Sequence, residues 1–337
     1  MLAHTKLRCT ERLLAEDGAD DPAFHRSLLA YFPPLVRERF ADRIDQHPLR
    51  REIIATAVVN AMVNHNGITF AFRMFEETQS KTSDIVRAHM AATGIFDADR
   101  VWSAIGALPL STPEGAQVTL FLEVDRLVER ASRWVLRNRR LPVDVEDAVV
   151  AFHDGVAQVD ARLLELLPST ERSVVDRRIE RWVAAGIPAA LASHVARMEH
   201  LPAALDIVRL AQQGSPAGEP WSVDDVAAVY FAIDDRLGLG AIRERILVLP
   251  RDDRWDALAR AALRDDLATE HAALTAVVLA ADLSVEPRYR LDSWTAQHPS
   301  TVERHLAVTH EVQESAVSNI ATMSVVLREL RTLAVAR

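Results

Sequence analysis

Leu120-Phe121-Leu122-Glu123-Val124-Asp125-Arg126-Leu127-Val128-Glu129-Arg130-Ala131-Ser132-Arg133-Trp134 carries the clearest fold signal in this 337-residue chain. Leu120, Val124, Leu127, Ala131 and Trp134 recur at alternating steps of four and three, which places them on one helix face. Glu129 and Arg133 stand four apart on the other face, where an ion pair adds a few tenths of a kcal/mol. The pattern predicts a long helix near 113–140, stopped by Pro142, which cannot donate to a helical ladder.

The same period continues outward from that stretch. Ser300-Thr301-Val302-Glu303 has the form of a capping box. Val302, Leu306, Thr309, Gln313, Ala316, Ile320, Met323, Leu327, Leu330 and Ala334 then follow a heptad seam, which predicts one uninterrupted helix over 300–336. A third long helix is expected near 253–283, with shorter ones between 2 and 108, 144–152, 156–167 and 170–248. Ser83, Asp97, Ser222 and Asp253 suit N-caps, and Gly67, Gly186 and Gly238 suit helix ends. Ile68-Thr69-Phe70-Ala71-Phe72 alternates like a strand, but Ile68, Phe72 and Phe75 also fit a helix, and both flanks are helical. The expectation is an all-α, multi-helix bundle. The turn formers at Gln212–Pro220 mark one linker, and softer breaks lie near Pro109–Pro113. These divide the chain into 1–110, 111–213 and 221–337.

Composition narrows the possible functions. Hydrophobic residues make up 49% and charged residues 26%, ordinary for a folded protein. The net charge of −9 argues against non-specific nucleic-acid binding, which needs a basic surface. No apolar run approaches the length of a membrane-spanning helix, and no signal peptide opens the chain. Cys9 is the single cysteine, which excludes an internal disulfide and a thiolate zinc site and fits a cytoplasmic protein. Only Lys6 and Lys81 are available for lysine chemistry.

A search for chemistry returns weak signals. Gly238-Leu239-Gly240 is a close glycine pair, but it follows a helix and lacks the strand and third glycine of a dinucleotide loop. Asp224-Asp225, Asp234-Asp235, Asp252-Asp253 and Asp265-Asp266 faintly suggest the magnesium-binding helices of an all-α enzyme. Capping and pairing with Arg236, Arg254 and Arg264 account for them more simply. His310 and Glu314 share a helix face, but two ligands do not make a zinc site, so His305 and His310 are expected to face solvent. Arg130, Arg133, Arg137, Arg139 and Arg140 form a basic cluster at a helix C-terminus, where cations are favoured and an acidic neighbour could dock.

One segment is unlike generic helix. His47-Pro48-Leu49-Arg50-Arg51-Glu52-Ile53-Ile54-Ala55-Thr56 runs on through Asn60, Val63, Asn64, Gly67, Ile68, Phe70 and Phe72 to Arg73 and Glu76-Glu77-Thr78. Asn60, Asn64 and Asn66 are poor helix formers, so their side chains are expected to meet specific partners. This segment resembles the C-terminal part of the large bacterial NAD-specific glutamate dehydrogenases. Other pieces agree in order: Leu2-Ala3-His4-Thr5-Lys6-Leu7, Tyr31-Phe32-Pro33-Pro34 with Arg37-Glu38-Arg39-Phe40, and Arg133-Trp134 with Arg137-Asn138-Arg139-Arg140. Ala227-Ala228-Val229-Tyr230-Phe231 follows, then Leu249-Pro250-Arg251-Asp252 with Arg254-Trp255. His65 and Ala61 depart from the basic and acidic residues expected nearby.

The resemblance implies a definite role. That family oxidises glutamate to 2-oxoglutarate and ammonia with NAD, using substrate and Rossmann subdomains upstream of this region. Its C-terminal region is a helical bundle packed on the catalytic part of a cytosolic homo-oligomer. The chain is therefore expected to hold no catalytic, cofactor or metal residue of its own, NAD belonging to the full-length enzyme. Its partner would be the catalytic domain, met through Arg50, Arg51, Asn60, Asn64 and Arg73. The first helix begins without a cap residue, as if it continued a longer one. The rival expectations are an autonomous interaction module using the Val302–Ala334 seam, and a magnesium enzyme using the Asp pairs.

Overall fold

The Leu120–Trp134 stretch lies in a 25-residue helix, Glu114–Asn138, and Leu120, Val124, Leu127 and Ala131 are all buried. The computed structural model describes every residue except 17, 216, 217, 219, 282–284, 316–318 and 336–337. The described residues form eighteen α-helices and two single-turn 3-10 helices, with no strand. The protein is all-α, as its periodicity predicts. Two compact units emerge, Met1–Asp154 with Asp176–Pro202, and Gly155–Val175 with Ala203–Arg337.

The first unit contains α1 (Leu2–Ala15), α2 (His25–Tyr31), α3 (Pro34–Asp45), α4 (Arg50–Asn66), α5 (Phe70–Thr78), α6 (Thr82–Ile95), α7 (Ala98–Gly106) and α8 (Glu114–Asn138). α9 (Val145–Leu166) begins there and α10 (Ser169–Ala184) ends there, followed by α11 (Ala189–Arg197). α6 is the buried centre, packing on α8, α5, α7, α4 and α1. It buries ten of its fourteen residues. Its first amides, on Thr82 and Ser83, donate to the Glu16 carboxylate at 3.2 and 2.8 Å. A remote carboxylate thus does the work expected of Ser83, and the charge suits the positive end of the helix dipole. Gly67 ends α4 at φ +80, a conformation a side chain would resist. The ambiguous Ile68–Phe72 stretch resolves as a turn leading into α5.

The second unit holds α12 (Ala203–Gln213), α13 (Val223–Leu237), α14 (Leu239–Leu247), α15 (Arg254–Ala281), α16 (Pro287–Gln297), α17 (Pro299–Glu314) and α18 (Ile320–Val335). α15 is its axis, packed against α18, α13, α16, α14 and α12. Ser222 and Asp253 cap α13 and α15 as expected, accepting from the amides of Asp225 (3.0 Å) and Asp256 (2.9 Å). Gly238 takes φ +65 between α13 and α14.

Three expectations need correction. The single helix over 300–336 is two helices folded back on each other. α17 stops at Glu314, Ser315 is extended, and the Asn319 side chain caps α18 by accepting from Thr322 N at 2.9 Å. Arg304 meets Glu329 at 2.7 Å. A straight helix would hold them ~38 Å apart. The buried stripe of α17 is Val302, His305, Thr309 and Val312, so Leu306 and Gln313 of the expected seam lie outside it, while Ala316 lies outside the described residues. Nor does the capping box form. α17 starts at Pro299, whose fixed φ suits a first helical residue, so Ser300 is already inside the helix.

The second correction joins 144–152 and 156–167 into one helix, α9, running through Gly155. A Cβ on Gly155 would come within 2.7 Å of Val208 Cγ2, so this glycine admits a close neighbour and breaks nothing. The third is α16, which was not expected at all. Its buried anchors are Leu291 and Trp294, one turn apart.

Candidate interdomain contact site

α4 and α5 carry the segment that stands out in sequence, and several of its polar groups bond within the unit. α1 and α4 pack side by side. Lys6 Nζ donates to Asn64 Oδ1 at 2.6 Å, and Arg51 pairs with Asp20 at 3.0 Å while reaching the Leu14 carbonyl at 3.4 Å. Arg73 donates to Glu129 at 2.7 Å. Glu129 also accepts from Arg133 at 3.1 Å, and Arg133 is held by Glu77 as well. Arg133 is buried, so the Glu129–Arg133 pair is not the solvent-facing pair the spacing suggested. It is part of a four-residue chain linking α5 to α8. Of the five residues read as an interdomain contact, Arg51, Asn64 and Arg73 thus have partners within the unit. Asn60 is half-buried, and Arg50 has a buried Nε with no hydrogen-bond partner among the described residues.

Asn66 organises a second network that local spacing cannot reveal. Its Nδ2 donates to the Asp125 carbonyl at 2.7 Å, and its Oδ1 lies 2.9 Å from His89 Nε2. Trp102 Nε1 donates to Asp125 Oδ1 at 2.9 Å, and His65 stacks on the Trp102 ring at 3.6 Å. Four helices, α4, α6, α7 and α8, contribute one or two groups each. Burial, with the nearby His65 adding to it, pushes the His89 imidazole down to about 3. Burial lifts the Asp125 carboxyl to about 7 against the hydrogen bond from Trp102. Burial also lowers His65, which Asp99 opposes.

The second unit has a polar core of another kind. His271 stacks on Tyr230 at 3.6 Å and lies 2.9 Å from the Tyr230 carbonyl through Nε2. Burial pushes its imidazole down to about 4. Asp234 is buried and receives two hydrogen bonds from Arg243, at 3.0 and 3.2 Å. Asp206 is buried and receives Arg209 at 2.9 Å.

The Asp pairs are used separately. Asp224 pairs with Arg162 at 3.1 Å, Asp253 caps α15, and Asp265 lies 3.7 Å from Arg264. Asp234 pairs with Arg243, not with Arg236. No group of three or more metal-ligating side chains gathers among the described residues. The expectation that His305 faces solvent is wrong: it is buried, 3.4 Å from the Leu237 carbonyl. His310 is exposed, 3.5 Å from Glu314. The basic cluster is largely absorbed at home. Arg130 reaches the Glu199 carbonyl, Arg137 the Glu77 carbonyl, and Arg139 pairs with Asp147. No described helix is long and apolar enough to cross a membrane.

Among the described residues, many of these polar groups bond between helices of the same unit. The family model described as "Glutamate dehydrogenase, C-terminal" matches residues 1–332. The chain belongs to that family. It is 34% identical over 336 residues to the NAD-specific glutamate dehydrogenase of Pseudomonas aeruginosa. It is 33% identical over 334 residues to that of Mycobacterium tuberculosis, and 32% over 335 residues to that of Halomonas elongata. Each match covers 99% of this chain and 20% of the relative, so the chain spans about one fifth of the length of the relatives it matches.

Proposed function

We propose that the chain serves as the C-terminal structural and assembly part of an NAD-specific glutamate dehydrogenase. The whole enzyme would convert glutamate, NAD and water to 2-oxoglutarate, ammonia and NADH in the cytoplasm, as a homo-oligomer, with NAD bound outside this chain. The observation that carries the reading is coverage: the match fills 99% of the chain but only 20% of each relative. The partner is the catalytic part of the same enzyme. Arg50, Arg51, Asn60, Asn64 and Arg73 remain the proposed contact on α4 and α5.

On this reading the isolated chain does not turn over. Purified chain incubated with glutamate and NAD should show no NADH absorbance above a no-protein control. Turnover from the chain by itself would overturn the reading.

A further inference from the structure

The corner between α6 and α7 turns on Asp97, which takes the left-handed conformation at φ +48 and ψ 35. Few residues other than glycine do so, and aspartate and asparagine tolerate it best. Backbone bonds close the corner: Phe96 donates to the Ala92 carbonyl at 3.2 Å, and Arg100 and Val101 donate to the Asp97 carbonyl at 3.0 and 3.3 Å. Asp97 stands at the N-cap position of α7, as its residue type predicts, yet its side chain makes no cap bond. Its carboxylate reaches α9 instead, where Oδ2 lies 3.2 Å from His153 Nε2. The other ring nitrogen is engaged too, with Nδ1 2.9 Å from Asp154 Oδ1. A carboxylate only accepts hydrogen bonds, and a neutral imidazole has one N–H and one lone pair. Both contacts are therefore satisfied only when the ring is protonated.

We propose that His153 is a proton-operated clasp, fastening the α6–α7 corner to α9 when its ring is charged and slackening when the ring is neutral. Among the described residues, the charged groups acting on it are Asp154 from its own helix and Asp97 from the corner. Together they hold its proton on above the ordinary value of 6.5, with burial opposing. The charges on the neighbouring helices are engaged elsewhere. On α8, Arg139 lies over the Phe152 ring at 5.6 Å and pairs with Asp147. On α6, Arg87 pairs with Asp84 and Asp21, and His89 faces Asn66. On α7, Asp99 acts on His65. Loss of the His153 proton leaves one donor facing two acceptors. One contact is lost, and the other falls from a charge-assisted bond to an ordinary one. The folded chain binds this proton more tightly than the unfolded chain does. The contribution of the clasp is therefore complete below about 6.5 and is lost as pH rises through the higher folded value. The side chains of His153 and Asp97 are 37% and 58% exposed, so the effect is that of one exposed ion pair and stays local to the corner.

The test uses the 337-residue chain. The His153 ring resonances, assigned by their loss in His153→Gln, are titrated by NMR. Amide exchange over residues 96–101 is followed at pH 6 and pH 8.5 and corrected for the intrinsic pH dependence of exchange. The parent ring should titrate above 6.5. Asp97→Asn keeps a residue suited to the left-handed turn and should lower that midpoint. Between the two pH values the corner should lose ~2- to 5-fold in protection. His153→Gln should remove that loss, because its amide does not titrate. A parent midpoint at or below 6.5 overturns the proposal, as does a midpoint that Asp97→Asn leaves in place. A corner whose protection does not change with pH also overturns it. So does a loss of protection that persists in full in His153→Gln, which would assign it to another titrating group of the unit such as Asp125.

Discussion

The two units each bury an uncharged histidine, yet they surround it with opposite electrostatics. In the first unit His89 is tied to Asn66, which also bonds the Asp125 carbonyl, and the Asp125 carboxylate accepts from the Trp102 indole N–H. In the second unit His271 is tied to a backbone carbonyl, and the neighbouring Asp234 and Asp206 each hold an arginine. The difference shows as opposite responses to acid. A buried imidazole with a lowered pKa loses stability as pH falls from about 6.5 toward 3 or 4, because the unfolded state takes up the proton first. A carboxyl raised to about 7 does the reverse: the folded state holds its proton longer, so stability falls as pH rises from about 4 to 7. In the first unit the two slopes oppose each other. In the second, the His271 slope stands without such a counterweight.

The comparison can be broken most forcefully at Asp234. Asp234→Ala leaves the Arg243 charge without its paired carboxylate and should cost the second unit ~2–4 kcal/mol, less than for a fully buried pair because Arg243 is partly exposed. Hydrogen exchange should accelerate in α13 and α15 and stay unchanged in α6. Equal acceleration in both units would show that the two cores are not separate.

Asn66→Ala comes next, with an expected loss of ~2 kcal/mol from a hydrogen-bonded group that serves both His89 and the Asp125 carbonyl. The readout is faster exchange in α6 and α8.

Asp125→Asn sharpens the pH argument. The amide oxygen can still accept from Trp102, and the charge is gone. The variant should be more stable than the parent by ~1–2 kcal/mol at pH 8, after discounting for partial exposure, with the gain vanishing by pH 4. It should make the first unit as acid-sensitive as the second. Denaturant unfolding at pH 4, 6 and 8 decides this, and a pH-independent gain would mean the carboxyl is not the group responsible. The smallest effect is at a cap. Ser222→Ala removes a purely local bond and should cost ~1 kcal/mol, read as faster exchange in the first turn of α13 alone.

What the sequence reveals follows from what is local. α8 and α15 are legible because their apolar residues repeat with the helix period over many turns. α16 is not, because Leu291 and Trp294 are two anchors among Arg, Tyr, Asp and Ser. The reversal between α17 and α18 hides inside a heptad pattern that continues across it. Only Ser315, Ser318 and Asn319 mark the place in sequence, and none is a strong breaker. The Asn66 network is invisible for another reason: residues 65, 66, 89, 102 and 125 share no spacing, and their meeting is a property of four packed helices. The segment that seemed most specific did prove to be rich in polar contacts, though Arg51, Asn64 and Arg73 spend theirs within the unit.

The path of the chain has a consequence for how this molecule can be inherited. α9 carries it out of the first unit and α10 brings it back, so neither unit is a contiguous stretch of gene. A recombination crossover at any point between 155 and 202 divides both units between the two parents. They can be gained, lost or exchanged only together, and the whole bundle is the smallest portable module.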